Sequence, residues 1–204
     1  MGEQPETELL QIGQSPPKER ADAARNRLKI LAAAAELFET HGVDGVSMDQ
    51  IAAAAQVGKG TLFRRFGDKA GMAAALLDAR ERDLQGAIIS GPPPLGPGAA
   101  AGDRLLAFHR AYAEFLEVNL DLVHLSETAS PGARYRVGAY RFWHRHVVIL
   151  LTEARPGLDA GYLAHALLAP LAADLRQATK AEFDLERVLA GGERLVRAVL
   201  DGTV

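Results

Sequence analysis

Four side chains able to grip an anionic, hydrogen-bonding polymer fall within seven residues, Lys59-Gly60-Thr61-Leu62-Phe63-Arg64-Arg65. On a helix Thr61, Arg64 and Arg65 stand three and four residues apart and share a face. An arginine fork can bond O6 and N7 of guanine, a contact that discriminates between bases by about 1–3 kcal/mol. A lysine or a second arginine suits a phosphate, which fixes position without reading sequence. We assign Arg64 to a base edge and Arg65 to the backbone. A solvated helix in an ordinary bundle could carry the same charges, so the surrounding elements must decide.

Other chemistries find less support. His144 and His146 are two residues apart, about 200° around a helix, and cannot chelate together. No histidine pair has i,i+4 spacing and no His-Glu-x-x-His run occurs, so no metal is expected. Without cysteine the chain has no thiolate ligand or nucleophile. It lacks a Gly-x-Ser-x-Gly elbow, a phosphate loop and a dinucleotide fingerprint, so neither an enzyme nor a cofactor is expected. No apolar run approaches the roughly 20 residues of a membrane span, and Met1–Pro17 does not read as a secretory signal. A cytoplasmic location is the expectation.

The 204 residues are 48% hydrophobic and 24% charged, enough to bury a core. The net charge of −3 conceals an asymmetry: residues 18–69 carry +2 and the remainder −5. Residues 1–21 are polar, proline-containing and aperiodic, and read as a disordered tail. Leu28, Leu31, Ala35 and Phe38 then mark a first helix ending at His41-Gly42. Ser47, with Gln50 three residues on, forms a capping box for a short second helix to about Ala55. Gln56-Val57-Gly58 interrupts, a third helix covers Lys59–Phe66, and Asp68 caps a fourth from Lys69 to Ser90. Gly91–Gly98 contains three consecutive prolines and reads as a linker that leaves the end of the fourth helix loosely tethered. Helical spacing resumes over 103–119, 120–129, 134–154, 159–180 and 184–201, with a kink expected at Pro170. The fold class is therefore all-α with about nine helices.

Two short helices joined by a three-residue break, behind a longer one, form a helix-turn-helix plan. Ile51, Ala54, Val57 and Leu62 can bury against Leu31 and Phe38, leaving the outer face of the third helix for a major groove. The order Phe38, Gly42, Ser47, Ile51-Ala52, Val57, Lys59-Gly60-Thr61-Leu62-Phe63, Phe66 and Lys69 closely resembles the DNA-binding domain of the TetR family of bacterial repressors. The resemblance covers about residues 24–72. It implies a DNA-binding domain over 22–68 and a helical ligand-binding and dimerisation domain over 69–204, the dimer forming through the last two helices. The DNA-contacting set it implies is Ser47, Lys59, Gly60, Thr61, Phe63, Arg64, Arg65 and Lys69.

Three positions depart from the family pattern. Gln56 stands at a turn position where glycine is common, so the turn either avoids the left-handed region or bears a cost of about 1 kcal/mol. Phe63 replaces a usual tyrosine and cannot hydrogen-bond a phosphate. Gly58 and Gly60 weaken the third helix by roughly 1 kcal/mol each. Ser47 offers two roles, helix cap and phosphate donor.

Beyond residue 98 the resemblance implies a cavity lined by aromatics, for which the candidates are Tyr112, Phe115, Tyr140, Trp143, His144 and His165. An apolar or planar effector follows from that composition. The leading expectation is thus a ligand-responsive repressor that binds a pseudo-palindromic operator as a homodimer. The alternative is a helical small-molecule binding or catalytic protein of the same fold without useful DNA binding.

Overall fold

Residues 17–202 are described by a computed structural model, and among them every regular element is helical. The order is α1 (Pro17–His41), α2 (Met48–Ala54), α3 (Lys59–Phe66), α4 (Lys69–Ser90), α5 (Ala101–Val118), α6 (Leu120–Thr128), α7 (Ala133–Arg136), α8 (Gly138–Ala154), α9 (Ala160–Leu168), a 3-10 turn (Ala169–Leu171), α10 (Ala173–Thr179) and α11 (Leu185–Asp201). The tail expected over 1–21 needs correction at its end, because α1 begins at Pro17; residues 1–16 lie outside the described residues. No described helix is long and apolar enough to cross a membrane.

Two cores divide the helices. In the first, Ile30, Ala34 and Phe38 of α1 are buried with Ile51 of α2, Leu62 and Phe66 of α3 and Met72 at the start of α4. The buried stripe of α1 is thus rotated from the expected one: Leu28 is exposed, while Leu31 and Ala35 are half-buried at its edge. The stripe ends where Gly42 turns into the left-handed region at φ +70°. The second core gathers Leu77 and Ile88 of α4 with Phe108, Tyr112, Trp143, Leu150, Leu167 and Val196. One rigid helix, α4, therefore supplies side chains to both.

Two expected helices are each broken in two, which accounts for the excess over nine. Pro170 has no N–H to continue α9, and the chain passes through the 3-10 turn instead of a simple kink. The interruption leaves backbone groups that buried side chains must satisfy. Arg134 of α7 donates from Nη2 to the Leu168 carbonyl at 2.9 Å and from Nη1 to the Leu171 carbonyl at 3.1 Å. Glu127 of α6 accepts the Ala173 N–H at 3.0 Å, and the two side chains pair with each other at 2.6 and 2.7 Å. This ion pair is more than nine-tenths buried, so loss of either member would strand the other. The second break lies at Val137, whose extended backbone separates α7 from α8.

The 91–98 segment is ordered by turns, which corrects the expectation of a loose tether. The Gly96 N–H donates to the Pro92 carbonyl at 3.0 Å and Leu95 packs on the second core. A Cβ on Gly96 would stand 1.8 Å from the Gly91 carbonyl oxygen, so only glycine lets the chain close here.

Candidate functional site

The geometry of α2 and α3 follows from their caps. The Gln50 N–H donates to Ser47 Oγ at 3.3 Å, and the Ser47 N–H donates to Gln50 Oε1 at 2.7 Å, completing the capping box. The Ser47 hydroxyl also points its proton at Gln50 Oε1, 2.9 Å away. At the other end the Val57 N–H reaches the Ala52 carbonyl and the Gln56 N–H the Ala53 carbonyl, each at 3.0 Å. That is a Schellman closure, and it needs a left-handed residue between helix and turn. Gln56 takes that conformation at φ +54° and bears the cost of about 1 kcal/mol. Lys29 of α1 donates to the Gln56 side-chain carbonyl at 3.1 Å and fixes the residue in place.

Leu62 and Phe66 anchor α3 inward, while Gly60, Phe63, Arg64 and Arg65 face outward and Thr61 is half-buried. Thr61, Arg64 and Arg65 line a cleft of about 390 Å³ against Asp22, Ala23 and Asn26 of α1. Lys59 pairs with Asp49 of α2. Arg65 donates from Nη1 to the Ala23 carbonyl at 2.8 Å, which ties α3 to α1. Arg64 makes no hydrogen bond or ion pair among the described residues. A Cβ at Gly58 or Gly60 would meet nothing within 4 Å, so no packing among the described residues explains either glycine.

Lys69 is not turned outward as the DNA contact that the resemblance implies. Its ammonium turns back to the loop between α1 and α2, donating to the carbonyls of Val43 at 2.8 Å, Val46 at 3.1 Å and Asp44 at 3.5 Å. An ammonium has three protons, and three carbonyls take them. The same bonds draw the charge away from the N-terminus of α4, where the helix dipole disfavours a cation.

A cavity of about 380 Å³ lies among α4, α5, α6 and the start of α8. Of the six aromatic and histidine candidates, Tyr112, Phe115, Tyr140 and Trp143 line it. His144 and His165 do not. They form a ring pair 4.0 Å apart on the outer side of α8 and α9, where His165 Nδ1 meets the Tyr140 hydroxyl at 2.7 Å and His144 Nε2 meets the Gly161 carbonyl at 3.1 Å. Desolvation and then the neighbouring His144 charge lower the pKa of His165. Their contribution to the cavity is confined to holding Tyr140.

Sequence reasoning missed the polar wall of this cavity, made by Asp78, Glu81, Arg82 and Gln85 of α4 and Ser126 and Glu127 of α6. Burial first, then the charges of Asp78 and Glu127, push the Glu81 carboxyl up to about 7. A signal existed: Glu81 interrupts the apolar spacing Leu77, Leu84, Ile88 on the inward face of α4. Among the described residues no group of histidines and carboxylates is arranged to hold a metal ion.

A capped first helix, a Schellman turn and a second short helix whose outward face carries Lys59, Arg64 and Arg65 form a helix-turn-helix DNA-binding domain, here joined to a helical domain with a cavity. The family profile described as "Bacterial regulatory proteins, tetR family" matches residues 30–76. The HTH-type transcriptional repressor SCO4008 of Streptomyces coelicolor is 30% identical over 157 residues, 72% of this chain and 78% of that protein. An HTH-type transcriptional regulator of Staphylococcus aureus is 40% identical over 65 residues, a third of either chain. Among solved structures, a TetR-family regulator from Syntrophomonas wolfei superposes with a TM-score of 0.66 at 18% identity over 89% of this chain and 98% of that one. Another from Pectobacterium atrosepticum gives 0.63 at 24% identity over 90% and 96%. The chain belongs to the TetR family of transcriptional regulators.

Proposed function

We propose that the protein is a ligand-responsive repressor that binds a pseudo-palindromic operator as a homodimer and leaves it when a small molecule enters the 380 Å³ cavity. The observation that carries this reading is that α4 serves both cores: its first turn is fastened to α3 and the α1–α2 loop, and its middle turns wall the cavity. Asp78 adds a second link. It lines the cavity and lies 3.7 Å from Arg27 of α1, whose guanidinium sits 5.3 Å above the ring of Phe66 at the end of α3. A ligand that shifts α4 therefore moves α3, and two recognition helices engage half-sites about one helical turn apart only at one separation.

On α3, Arg64 reads a base while Thr61, Lys59, Phe63 and the bare backbone at Gly60 meet the neighbouring groove wall. Ser47 and Arg65 stand at the flanks for phosphates. Lys69 acts by holding the loop ahead of α2 instead of by touching DNA. Dimerisation uses α9, α10 and α11. Leu175 and Phe183 are exposed there, bordering a groove of about 260 Å³ with Pro170, Val188 and Leu195. The apolar stripe of α11 is not all available for this, since Val196 is fully buried in the protomer's own core.

Selection of bound sequences from random duplexes, followed by fluorescence anisotropy on the winner, tests the reading. A palindromic site bound by a dimer, with affinity falling steeply in salt, is expected. Ligand binding without any sequence-selective DNA binding would favour the helical binding protein instead.

A further inference from the structure

The cavity holds charges of unequal standing. Asp78 is paired with Arg27 at 3.7 Å and with Arg82 at 3.4 Å, and Glu127 is locked to Arg134. Glu81 has no hydrogen bond or ion pair among the described residues; the charged and titratable groups that share its cavity wall are Asp78, Arg82, Glu127, Tyr112 and Tyr140, and Arg82 is engaged by Asp78. Tyr112 is 97% buried, lines the same space, and its hydroxyl likewise makes no hydrogen bond among the described residues. Glu81 is half-buried and Tyr112 buried, and neither is satisfied from within the described residues, so a ligand in the cavity can supply the partner both lack.

Around them the wall is aromatic. Tyr112 and Phe115 stack with centroids 6.1 Å apart, and Trp143 lies 5.5 Å from Tyr112. The ring of Tyr140 is already taken by the Arg134 guanidinium at 5.0 Å, which shows that a cation is accommodated over an aromatic face here.

We infer that the effector is an aromatic organic cation, its ring system among Tyr112, Phe115 and Trp143 and its positive charge beside Glu81. The inference rests on the reading of this cavity as the effector site and adds the sign of the charge. A neutral planar molecule would cover the same apolar surface and leave Glu81 without a counter-charge. An anion would meet Glu81 beside two carboxylates already paired with arginines, and would leave Glu81 without a counter-charge. A cation supplies the attraction that Glu81 lacks, and the protonated carboxyl that burial favours in the empty cavity would ionise as it binds.

Three ring systems of equal size separate these cases: 10-methylacridinium, which is permanently charged, neutral acridine, and anthracene-9-carboxylate. Calorimetric titration of the full chain at pH 8 is expected to show the cation binding at least ten-fold tighter than acridine and the carboxylate weakest. Glu81→Gln should remove that preference while acridine binding is kept, which also reports an intact cavity. If that variant does not fold, the wild type still decides: its affinity for 10-methylacridinium should fall about ten-fold from pH 8 to pH 6, with a proton released on binding, because the carboxyl must ionise. Equal affinity for cation and acridine, preference for the carboxylate, no binding by any of the three, or a preference unchanged in Glu81→Gln would overturn the inference. Anisotropy on the operator distinguishes the two levels. A cation that binds without releasing DNA overturns the effector reading alone, whereas acridine binding as tightly and releasing DNA overturns the charge assignment alone.

Discussion

Replacing Lys69 by methionine separates a structural lysine from a phosphate-contacting one. The substitution keeps the stem and removes three donors, leaving the carbonyls of Val43, Asp44 and Val46 to find water. Hydrogen bonds from a charged donor are worth about 1.5–3 kcal/mol. The site is half-buried and water can replace part of the loss, so about 2 kcal/mol is expected. In a chain of this length that lowers Tm by about 4–8 °C, readable by circular dichroism. The salt dependence of operator affinity, measured well below Tm, should stay the same, because no phosphate contact is removed. A phosphate-bound Lys69 behaves in the opposite way: Tm holds, and the slope of log affinity against log salt becomes shallower by about 0.9 per protomer. That second result would refute the assignment of Lys69 to the α1–α2 loop.

Arg64→Ala should lose about 1–3 kcal/mol of discrimination at one position in each half-site with Tm unchanged, as read by competition against single-base variants; a sequence-blind loss would end its base-reading role. Leu175→Glu should give a folded monomer in sedimentation, because its site is exposed on the protomer, whereas Val196→Glu should unfold the protomer itself. A monomeric wild type would refute the proposed interface. His146 is buried against Phe108, its ring edge-on with centroids 5.1 Å apart, and desolvation followed by the Arg104 charge lowers its pKa to about 4. Its ordinary value is 6.5, so the unfolded chain takes up the proton first; stability present above pH 6.5 is lost as pH falls towards 4. Between pH 7 and 4.5 this amounts to about 2 kcal/mol, or about 4–8 °C of Tm, and His146→Leu should lose that much less over the same range.

The helix-turn-helix was legible because its determinants are local. Ser47 and Gln50 close a capping box within four residues, Asp68 caps α4, and the observed limits of α3 coincide with the expected Lys59–Phe66. Such bonds form between groups that the chain itself places side by side. The turn at Gln56 marked the limit of that reasoning. Its sequence allowed a left-handed residue or a way round one, and the choice was made by the closure onto Ala52 and Ala53 and by Lys29, 27 residues away. Lys69 shows the same limit at the candidate DNA interface, since its carbonyl partners lie more than twenty residues back in the chain.

In the second half of the chain, periodicity predicted that the segments are helices, and only the family resemblance pointed to a cavity among their aromatic side chains. Neither determined which inward faces leave a space between them. Packing of the helices put Glu81 on the cavity wall and left His144 and His165 outside it. The breaks at Val137 and Pro170 were likewise decided in three dimensions. Proline alone predicts a lost hydrogen bond, but the buried Arg134–Glu127 pair is what satisfies the freed carbonyls and the Ala173 N–H, and so fixes where α9 ends and α10 begins. The sequence by itself determined the caps of α2 and α4 and the helix-turn-helix they frame, because these are set by neighbours within a turn or two. Only the tertiary structure decided which charges stand free and which are spent, because a side chain's partner across 30 residues is chosen by packing, not by spacing.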